Sequence, residues 1–540
     1  MHQSLFIVEV QRAIFCEVYR THRPTLAVLA RTCRVFNSAA LDVLWANLGS
    51  FARLIMCLPQ DLWTVNPSNK KLVFLRPMVI NDWEIFFKYS TRVRSVDGIG
   101  LHCIRGCSTL GDDAIFALSN PPTFGPLIPY LRMLDWDQPS TRYASLLRLL
   151  LTPSLVSLTL STMGCALRSP EASIMTSIGT SCPSLRILRI TSPTPFSNFL
   201  DDKGAKVLST AILYLHSLRT LACHALDEAA VVHLARLPSL SDLSIELPSG
   251  FQLDKVLPHL AAPAFGTISS LTLNAVTLST LTSFLEGMQF RPDEVTFTAR
   301  DAPTVDALRL FFTALVNACD SEHLVSVSLS VHGDVRPASP SQQVTISTLQ
   351  SLLALPNINW FTLDVPCTIG LDDTGITTLA KHWPKLFGIS INAAAGWNTS
   401  SRITHLGLIT LLKFCSELED IAISVDFSSV DVEASELQDS RPGGGVTSDT
   451  CCTANFVTSR ISHPASIAAF LSDICPRLHC ARASWSQNEY MIVADGDEAD
   501  MYRERWDEVG ALLPAFTAVR RQCLRWSSEQ ETEEADAVPI

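Results

Sequence analysis

One apolar pattern recurs along most of the chain. It has the form Leu-x-x-Leu-x-Leu, with other apolar residues allowed at the three fixed positions and often a proline before it. The clearest copies are PYLRMLDW (129–136), PSLVSLTL (153–160), PSLRILRI (183–190), HSLRTLAC (216–223), PSLSDLSI (238–245) and TISSLTL (267–273). Less regular copies follow at 293–297, 323–329, 356–363, 384–391, 417–423 and 476–483. Each copy predicts a short strand whose side chains alternate between two faces.

Helix-like stretches separate these strands, and several of them open with Asp, Ser or Thr, as a helix N-cap favours. The first apolar positions of the clear copies are residues 131, 155, 185, 218, 240 and 268, so the steps between them are 24, 30, 33, 22 and 28 residues. A strand and a helix of this length cannot bury their own apolar faces, whereas stacked units share one core. A doubly wound α/β domain, which also alternates parallel strands with helices, is the alternative that the pattern leaves open.

The repeated pattern resembles leucine-rich repeats over roughly residues 126–490. This resemblance implies an α/β fold, a leucine-rich-repeat solenoid in which short parallel strands and helices form a horseshoe. The asparagine that the family places three residues beyond the last leucine is absent, and that position reads Pro139, Met163, Pro193, Leu226, Pro248 and Pro366. We therefore expect irregular repeats. The stretch 426–465, which contains RPGGG, breaks the period and predicts a disordered insertion.

Residues 1–50 follow a different pattern, with apolar residues at helical spacing and no strand motif. One apolar line includes Val10, Ile14 and Val18, and a second begins after a break at residues 21–24. This segment is too apolar to stand alone, so it packs on the repeats or binds a partner. We expect residues 51–125 to form a linker or N-terminal cap of the solenoid, and residues 491–540 to form a helix and an acidic tail.

The N-terminal segment resembles an F-box. The family pattern, approximately Leu-Pro-x-Glu-Ile-Leu, Ile-Phe, a Leu-rich helix, Val/Cys-x-Arg-x-Trp and Leu-Trp, is matched at Phe6, Glu9, Val10, Ile14, Phe15, Leu26, Leu29, Ala30, Cys33, Arg34, Phe36, Leu41, Leu44 and Trp45. Two positions depart from it, since Ile7 stands where proline is usual and Gln11 where leucine is usual. The order of the two modules resembles the F-box proteins with leucine-rich-like repeats of filamentous fungi.

This resemblance implies a small three-helix module that docks on a Skp-family adaptor, and through it on a cullin, while the repeats capture a target protein. The adaptor-binding residues would then be Phe6, Val10, Ile14, Phe15, Leu26, Leu29, Phe36, Leu44 and Trp45. An N-terminal helical cap that only closes the repeats is the alternative for residues 1–50.

Composition and charge narrow the classes of function. Charged residues make up 17% and hydrophobic residues 47% of the 540 residues, which excludes a mainly disordered chain. The net charge of -12 gives no general electrostatic basis for binding nucleic acid or an anionic membrane. No apolar run reaches the roughly 18 residues of a membrane span. Without a signal peptide or a disulfide framework, the 16 cysteines indicate reduced thiols, and we expect the cytoplasm, with the nucleus left open.

No catalytic motif is visible in the sequence. His102, Cys103 and Cys107 form an incomplete metal set, and the sequence DGDEAD (495–500) lacks two of the ligands of a calcium loop. We therefore expect no catalytic residues, no cofactor and no metal. An enzymatic activity within the repeats is the weakest of three hypotheses, because it needs a pocket with converging titratable residues.

Function is therefore expected on surfaces. In a leucine-rich horseshoe the x positions of the motif face the concave side, and arginine and aromatic residues are common anchors of protein interfaces. The candidate target-binding residues are Arg132, Arg186, Arg189, Arg219, Trp360 and Phe387. The leading hypothesis is a substrate-recognition subunit of a Skp–cullin–F-box ubiquitin ligase. The alternative is a leucine-rich-repeat interaction scaffold with no ubiquitin role.

Overall fold

A computed structural model of the chain describes residues 6–97, 109–123, 125–136, 141–161, 169–191, 202–224, 226–248, 265–331, 343–397, 399–433, 443–485 and 496–536. The fold is α/β, with parallel strands and many helices. The chain divides into two compact units, the first of which extends to Glu246 and the second of which begins at Leu247.

The first unit begins with three helices, which are α1 (Val8–Thr21), α2 (Arg23–Thr32) and α3 (Arg34–Ala46). His22 separates the first two helices, and Pro24 lies in the first turn of α2, where a missing backbone N–H is tolerated. Cys33 adopts an extended conformation and separates α2 from α3. The three helices pack against one another.

A parallel sheet follows directly from the third helix. Its strands, in spatial order, are β1 (Asn47–Leu48), β4 (Ser95–Asp97), β6 (Met133–Trp136), β7 (Ser157–Ser161), β8 (Ile187–Thr191), β9 (Thr220–Ala222) and β10 (Asp242–Leu247). The strands are neighbours in the order in which the chain visits them. A doubly wound sheet reverses its strand order at a switch point, so this order excludes the doubly wound alternative and is compatible with stacked repeats.

The remaining elements of the first unit connect and flank these strands. A small sheet contains β2 (Trp63–Val65), β3 (Lys71–Phe74) and β5 (Thr109–Leu110). The connecting helices are α4 (Ala52–Ile55), α5 (Ile80–Ser90), α6 (Asp112–Ser119), α7 (Ala144–Leu150), α8 (Ser169–Ser181), α9 (Asp202–Ile212) and α10 (Glu228–Ala235).

The second unit repeats the same alternation. Its parallel strands, in spatial order, are β11 (Ser270–Ala275), β12 (Glu294–Ala299), β13 (Ser326–Val331), β15 (Trp360–Asp364), β17 (Gly388–Ile391), β18 (Asp420–Ala422), β19 (Thr453–Asn455) and β20 (Cys480–Arg482), and a separate pair contains β14 (Gln343–Val344) and β16 (Thr368–Ile369). Its helices are α11 (Leu278–Glu286), α12 (Val305–Ala318), α13 (Ile346–Leu349), α14 (Asp373–His382), α15 (His405–Phe414), α16 (Pro464–Ile474) and α17 (Gly496–Asp536).

The last helix covers the end of this second array. Trp506 of α17 is buried and donates a hydrogen bond from its indole nitrogen to the carbonyl of Ser459 at 2.9 Å. Farther along α17, Arg520 donates to the buried carboxylate of Asp473 at 2.6 Å. These contacts place α17 against α16 and β20, where it shields apolar side chains that no further strand covers.

Two predicted boundaries are wrong. The parallel sheet begins at β1 rather than near residue 126, because β4 pairs with β1 on one side and with β6 on the other. Residues 51–125 are therefore not only a linker or cap. Likewise, the predicted insertion at 426–465 is not disordered over residues 443–465, where β19 pairs with β18 and β20.

The core of each array is built from the fixed positions of the motif. Every copy of the pattern contributes a strand to one of the two parallel arrays. In the first unit, register places one buried leucine of each strand beside the next, namely Leu134, Leu158, Leu188, Leu221 and Leu243. Such a row is shared by successive units, so no unit completes its core alone.

We expect Leu221→Ala to reduce the free energy of unfolding of the first unit by about 2–5 kcal/mol, because it leaves a cavity in a fully buried row. Urea denaturation followed by circular dichroism measures the loss. The matched control is Leu75→Ala, since Leu75 is 61% exposed. Equal losses for the two variants would contradict the shared row.

A buried ion pair gives the first unit a pH dependence. Asp82, in the first turn of α5, is buried and accepts hydrogen bonds from Arg76 at 2.6 Å and from the backbone N–H of Val79 at 2.9 Å. The hydrogen bond from Arg76, aided by that from Val79 and by the arginine charge, outweighs burial and lowers the pKa of Asp82. Because the lowered value belongs to the folded state, the stabilisation is present above the unfolded pKa of about 3.9 and is lost as the pH falls through the folded value.

We expect Asp82→Asn to cost roughly 1–3 kcal/mol at pH 7, because a charged hydrogen bond to Arg76 is lost. The difference from the wild type should shrink below about pH 4, where the wild-type carboxylate also protonates. Urea titrations from pH 3 to pH 7 measure both effects, with Glu84→Gln on the exposed side of the same helix as the control. A cost that does not change with pH would exclude the ion pair as its source.

Candidate functional site

The N-terminal helices form a small module with its own apolar core. Six side chains are buried in it, namely Phe15, Leu26, Ala30, Ala39, Ala40 and Val43. The rings of Phe15 and Phe36 meet edge to face, with centroids 5.6 Å apart. The side-chain amide of Asn37 donates to the carbonyl of Ala30 at 2.7 Å, which ties α3 to the end of α2.

The nine predicted adaptor-binding residues divide by exposure. Phe15 and Leu26 are buried within the module, with 4% and 0% of their surface exposed, so their assignment to a contact surface is wrong. Phe6 and Ile14 are exposed at 56% and 42%. The others are half-buried, and they are Val10, Leu29, Phe36, Leu44 and Trp45.

Exposed apolar side chains cluster at the start of the module. Phe6 and Ile7 precede α1, and Ile14 lies on α1 one turn beyond the half-buried Val10. Sequence reasoning missed further exposed apolar side chains of the module, which are Ile7, Val8, Val28 and Val35. A family pattern shows which positions of the module are apolar. It does not distinguish the apolar residues that face the module's core from those that face solvent.

The module is fixed to the sheet by its third helix. Asp42 of α3 forms ion pairs with Arg12 at 2.7 Å and with Arg92, which precedes β4. The ring of Trp45 lies 4.8 Å from the ring of Tyr89 on α5. The chain then enters β1 without a loop, and Arg94 donates its backbone N–H to the carbonyl of Ala46 at 2.8 Å. The first strand of the sheet thus begins before residue 50, the predicted end of the helical module.

The open face of the first unit carries a row of arginines. Just before the strands, backbone hydrogen bonds of 2.7–2.8 Å run from strand to strand, each residue donating its N–H to the carbonyl of the previous one. The row that they connect reads Ala46, Arg94, Arg132, Val156, Arg186, Arg219 and Ser241. Three of the predicted target-binding residues are therefore members of one row, to which the structure adds Arg94.

Arg94 was missed because its strand carries valines in place of leucines. Val93 and Val96 are both fully buried, and their spacing repeats the first half of the motif. The guanidinium of Arg94 lies 5.1 Å from the ring centre of Tyr130. Partial burial, opposed by the charge of Asp42 and reinforced by that of Arg132, lowers the pKa of Arg94. Neighbouring arginines of the row therefore interact electrostatically.

The fourth predicted arginine, Arg189, lies on the same face within β8. It is exposed, and its register neighbours are Thr159 on β7 and Ala222 on β9. Within the described residues, no side chain or carbonyl accepts a hydrogen bond from the guanidinium groups of Arg132, Arg186, Arg189 or Arg219.

Acidic residues on this face have partners of their own. Asp97 accepts a hydrogen bond from Ser95 at 2.6 Å. Asp242 accepts hydrogen bonds from Thr220 at 3.3 Å and from Ser241 at 2.5 Å. These hydroxyl groups, and not the arginines, donate to the carboxylates of Asp97 and Asp242.

In the second unit the two predicted aromatic residues lie together. Trp360 starts β15, Phe387 precedes β17, and their ring centroids are 5.9 Å apart. Gly388 makes room for the indole, because a Cβ on this residue would lie 2.5 Å from the Trp360 ring. The indole nitrogen donates to the hydroxyl of Thr362 at 3.2 Å. Trp360 is therefore a half-buried platform that Phe387, 37% exposed, extends towards solvent.

The arginines belong to the first unit and the aromatic pair to the second, so they define two candidate surfaces, one in each unit. The row of the second unit that corresponds to the arginine row reads Ser269, Asp293, Val325, Asn359, Phe387, Glu419, Cys452 and His479. It contains no arginine and two acidic residues, so a partner that fits one row does not fit the other.

The described residues contain no group of three or more side chains that could hold a metal ion. His102, Cys103, Cys107 and Asp495 lie outside the described part of the chain. Cys182, Cys319, Cys415 and Cys475 are buried and belong to no disulfide, in agreement with the expectation of reduced thiols. Burial raises the pKa of Cys182, Cys319 and Cys415 to about 12, so these thiols stay protonated and unreactive at neutral pH.

An asparagine does support one turn after a strand, although not at the position where the family pattern places it. Asn392 follows β17 directly, is fully buried and has a positive φ of 51°. Its side-chain oxygen accepts from the N–H of Val365 at 3.0 Å, and its amide nitrogen lies 2.8–3.1 Å from the carbonyl oxygens of Val365, Cys367 and Gly396. Asn392 lies one residue beyond the last fixed position of its motif copy instead of three, so the family pattern does not predict it.

Compared with models of protein families, the chain matches none. No curated protein is significantly similar to it. Among the described helices, none is both long and apolar enough to cross a lipid bilayer.

We expect Gly388→Ala to destabilise the second unit by about 1–3 kcal/mol, because the added methyl group displaces the indole of Trp360. Urea denaturation measures the cost, and Gly49→Ala is the control, since a methyl group there meets no atom within 4 Å. The cost should fall in a background that carries Trp360→Leu. An undiminished cost in that background would exclude the ring as its cause.

Proposed function

We propose that this chain is the substrate-recognition subunit of a Skp–cullin–F-box ubiquitin ligase. In this proposal the three N-terminal helices are an F-box that docks on a Skp-family adaptor, and the two parallel arrays are a leucine-rich-repeat solenoid that holds a target protein. The chain itself transfers no ubiquitin, since its partner subunits supply that chemistry.

The observation that carries the proposal is a group of exposed apolar side chains, Phe6, Ile7, Val8 and Ile14, on a module that has an apolar core of its own. Single exposed apolar residues are ordinary on protein surfaces. Four within residues 6–14 are instead typical of a binding surface.

The rigid attachment of the module supports the same proposal. The ion pairs of Asp42 and the continuous passage from α3 into β1 fix the helices relative to the first strands. A ligase subunit needs such a connection, because the adaptor and the target have to be held at a defined separation. The open faces of the arrays, with unpaired arginines in one and an aromatic platform in the other, supply candidate surfaces for the target.

One observation favours the alternative, an interaction scaffold with no ubiquitin role. Because α3 leads directly into the first strand of the sheet, the helices also cover the edge that β1 presents, as a capping element does. The two functions differ in one respect that can be measured. A cap acts through the buried side of the helices, whereas an adaptor-binding module acts through its exposed side.

The experiment is a pull-down of the purified chain with a purified Skp-family adaptor. We expect the wild type to bind and the variant Phe6→Ala with Ile14→Asp to lose binding at least tenfold, because a charge enters the apolar contact. The control is Leu310→Asp, since Leu310 is 65% exposed in the middle of α12, outside the module. Leu44 and Trp45 are unsuitable positions, because both pack within the fold.

Thermal unfolding of the same three proteins distinguishes the two functions. The proposal expects the Phe6/Ile14 variant to unfold at the wild-type temperature while failing to bind. Failure of the wild type to bind any Skp-family adaptor would contradict the ligase function and leave the scaffold. Equal binding by the wild type and the Phe6/Ile14 variant would show that the exposed apolar group of residues 6–14 is not the contact.

A further inference from the structure

The arginine row of the first unit has chemistry that the fold itself does not use. Arg132, Arg186 and Arg219 are exposed members of one hydrogen-bonded row, and Arg189 lies three residues beyond Arg186, within β8. None of these four guanidinium groups donates to a side chain or a carbonyl within the described residues. Arg76 and Arg92, by contrast, form ion pairs with carboxylates.

The middle of the row has no carboxylate beside it. On β7, β8 and β9 the positions beside the arginines are occupied by uncharged residues, which are Ser157, Thr159, Ile187, Thr220 and Ala222. Carboxylates flank the row at its ends, with Asp97 on β4, Asp135 on β6 and Asp242 on β10. The chain as a whole has a net charge of -12, so the row is a local positive site on a negative protein.

The geometry of the row selects the shape of the ligand. Neighbouring parallel strands are about 4.8 Å apart, so Arg219 is one step from Arg186, and Arg132 is two steps, about 10 Å, on the other side. The cationic groups therefore follow a line of about 14 Å instead of converging on one point. An extended peptide advances about 3.3 Å per residue and covers that line with four or five residues.

We propose that this row binds an extended acidic segment of the target protein, in which Asp or Glu carboxylates at positions i, i+2 and i+4 pair with Arg132, Arg186 and Arg219. These alternate positions share one face of an extended chain and span about 13 Å. The planar guanidinium accepts a carboxylate in a two-point contact, which makes arginine well suited to this task. Arg189 lies in β8 on the same face and pairs with a carboxylate that flanks this segment. This inference rests on the proposed function, because it names the chemistry of the target that the repeats hold.

The test uses fluorescence anisotropy with the full chain and a fluorescein-labelled peptide of about ten residues that carries glutamates at i, i+2 and i+4 in an Ala/Ser background. The first reference peptide has glutamine at the same positions. The second has a single phosphoserine at i+2 and glutamine at the other two. We expect the glutamate peptide to bind at least tenfold more tightly than either reference, and its affinity to fall as salt is raised, since exposed charges are screened.

Single alanine variants assign the contacts. Arg186→Ala and Arg219→Ala should each weaken binding of the glutamate peptide about tenfold, and the double variant about a hundredfold. The matched control is Arg148→Ala, because Arg148 is an exposed arginine on the helix α7 of the same unit. It should bind as the wild type does.

Three results would overturn the inference. They are equal binding of the glutamate and glutamine peptides, tighter binding of the phosphoserine peptide, and a loss in Arg148→Ala as large as that in Arg186→Ala. The second result would show that the row prefers one phosphate group to several separate carboxylates. Peptide binding is measured independently of the adaptor pull-down. A chain that binds the glutamate peptide but does not bind the adaptor would support the acidic target and contradict only the ligase function.

Discussion

The backbone hydrogen bonds that connect each strand to the next in parallel register are the interaction on which the structure depends. They set a spacing of about 4.8 Å between equivalent positions of successive units. On the closed side this spacing aligns Leu188 with Leu221 and Leu243, so the buried leucines form a continuous row. On the open side the same spacing aligns the side chains at the variable positions of the motif. Core and binding surface are thus two faces of one ladder, and a change of register would move both.

The sequence predicts strands well wherever leucine, isoleucine or valine occupies all three fixed positions. It misses β19, where cysteine, alanine and phenylalanine fill the same positions. Cys451, Ala454 and Phe456 are buried at the three positions of the motif, yet the copy CCTANF reads as part of a loop because cysteine and alanine give a weak apolar signal. Likewise, Trp45, at the end of α3, and Leu48, in β1, occupy the first two positions of the motif. The fold constrains the spacing of the buried residues more strongly than their identity. A sequence motif, however, is recognised by residue identity.

The two candidate surfaces of the first unit, the arginine row and the N-terminal helices, were not predicted equally well. The variable positions of the motif correctly indicated Arg186 and Arg219 as exposed, because alternation across a strand determines which side chains leave the core. Alternation does not show that these arginines lack partners, since the partner of a surface charge depends on neighbouring strands. In the N-terminal helices the prediction was poorer, and it assigned the core residues Phe15 and Leu26 to a contact surface. Three short helices bury several overlapping faces, so apolar periodicity alone does not separate core from contact.

The passage from α3 into β1 connects the two functions that we propose. Trp45 belongs to the resemblance to an F-box and also lies at the first fixed position of a repeat, where its ring contacts Tyr89. One residue farther, the carbonyl of Ala46 starts the same hydrogen-bonded row that leads to Arg94 and Arg132. A partner on the helices is therefore held at a fixed distance along the ladder from a partner on the arginines. That distance is set by the number of strands between them, so inserting or deleting a single repeat would change it without altering either surface.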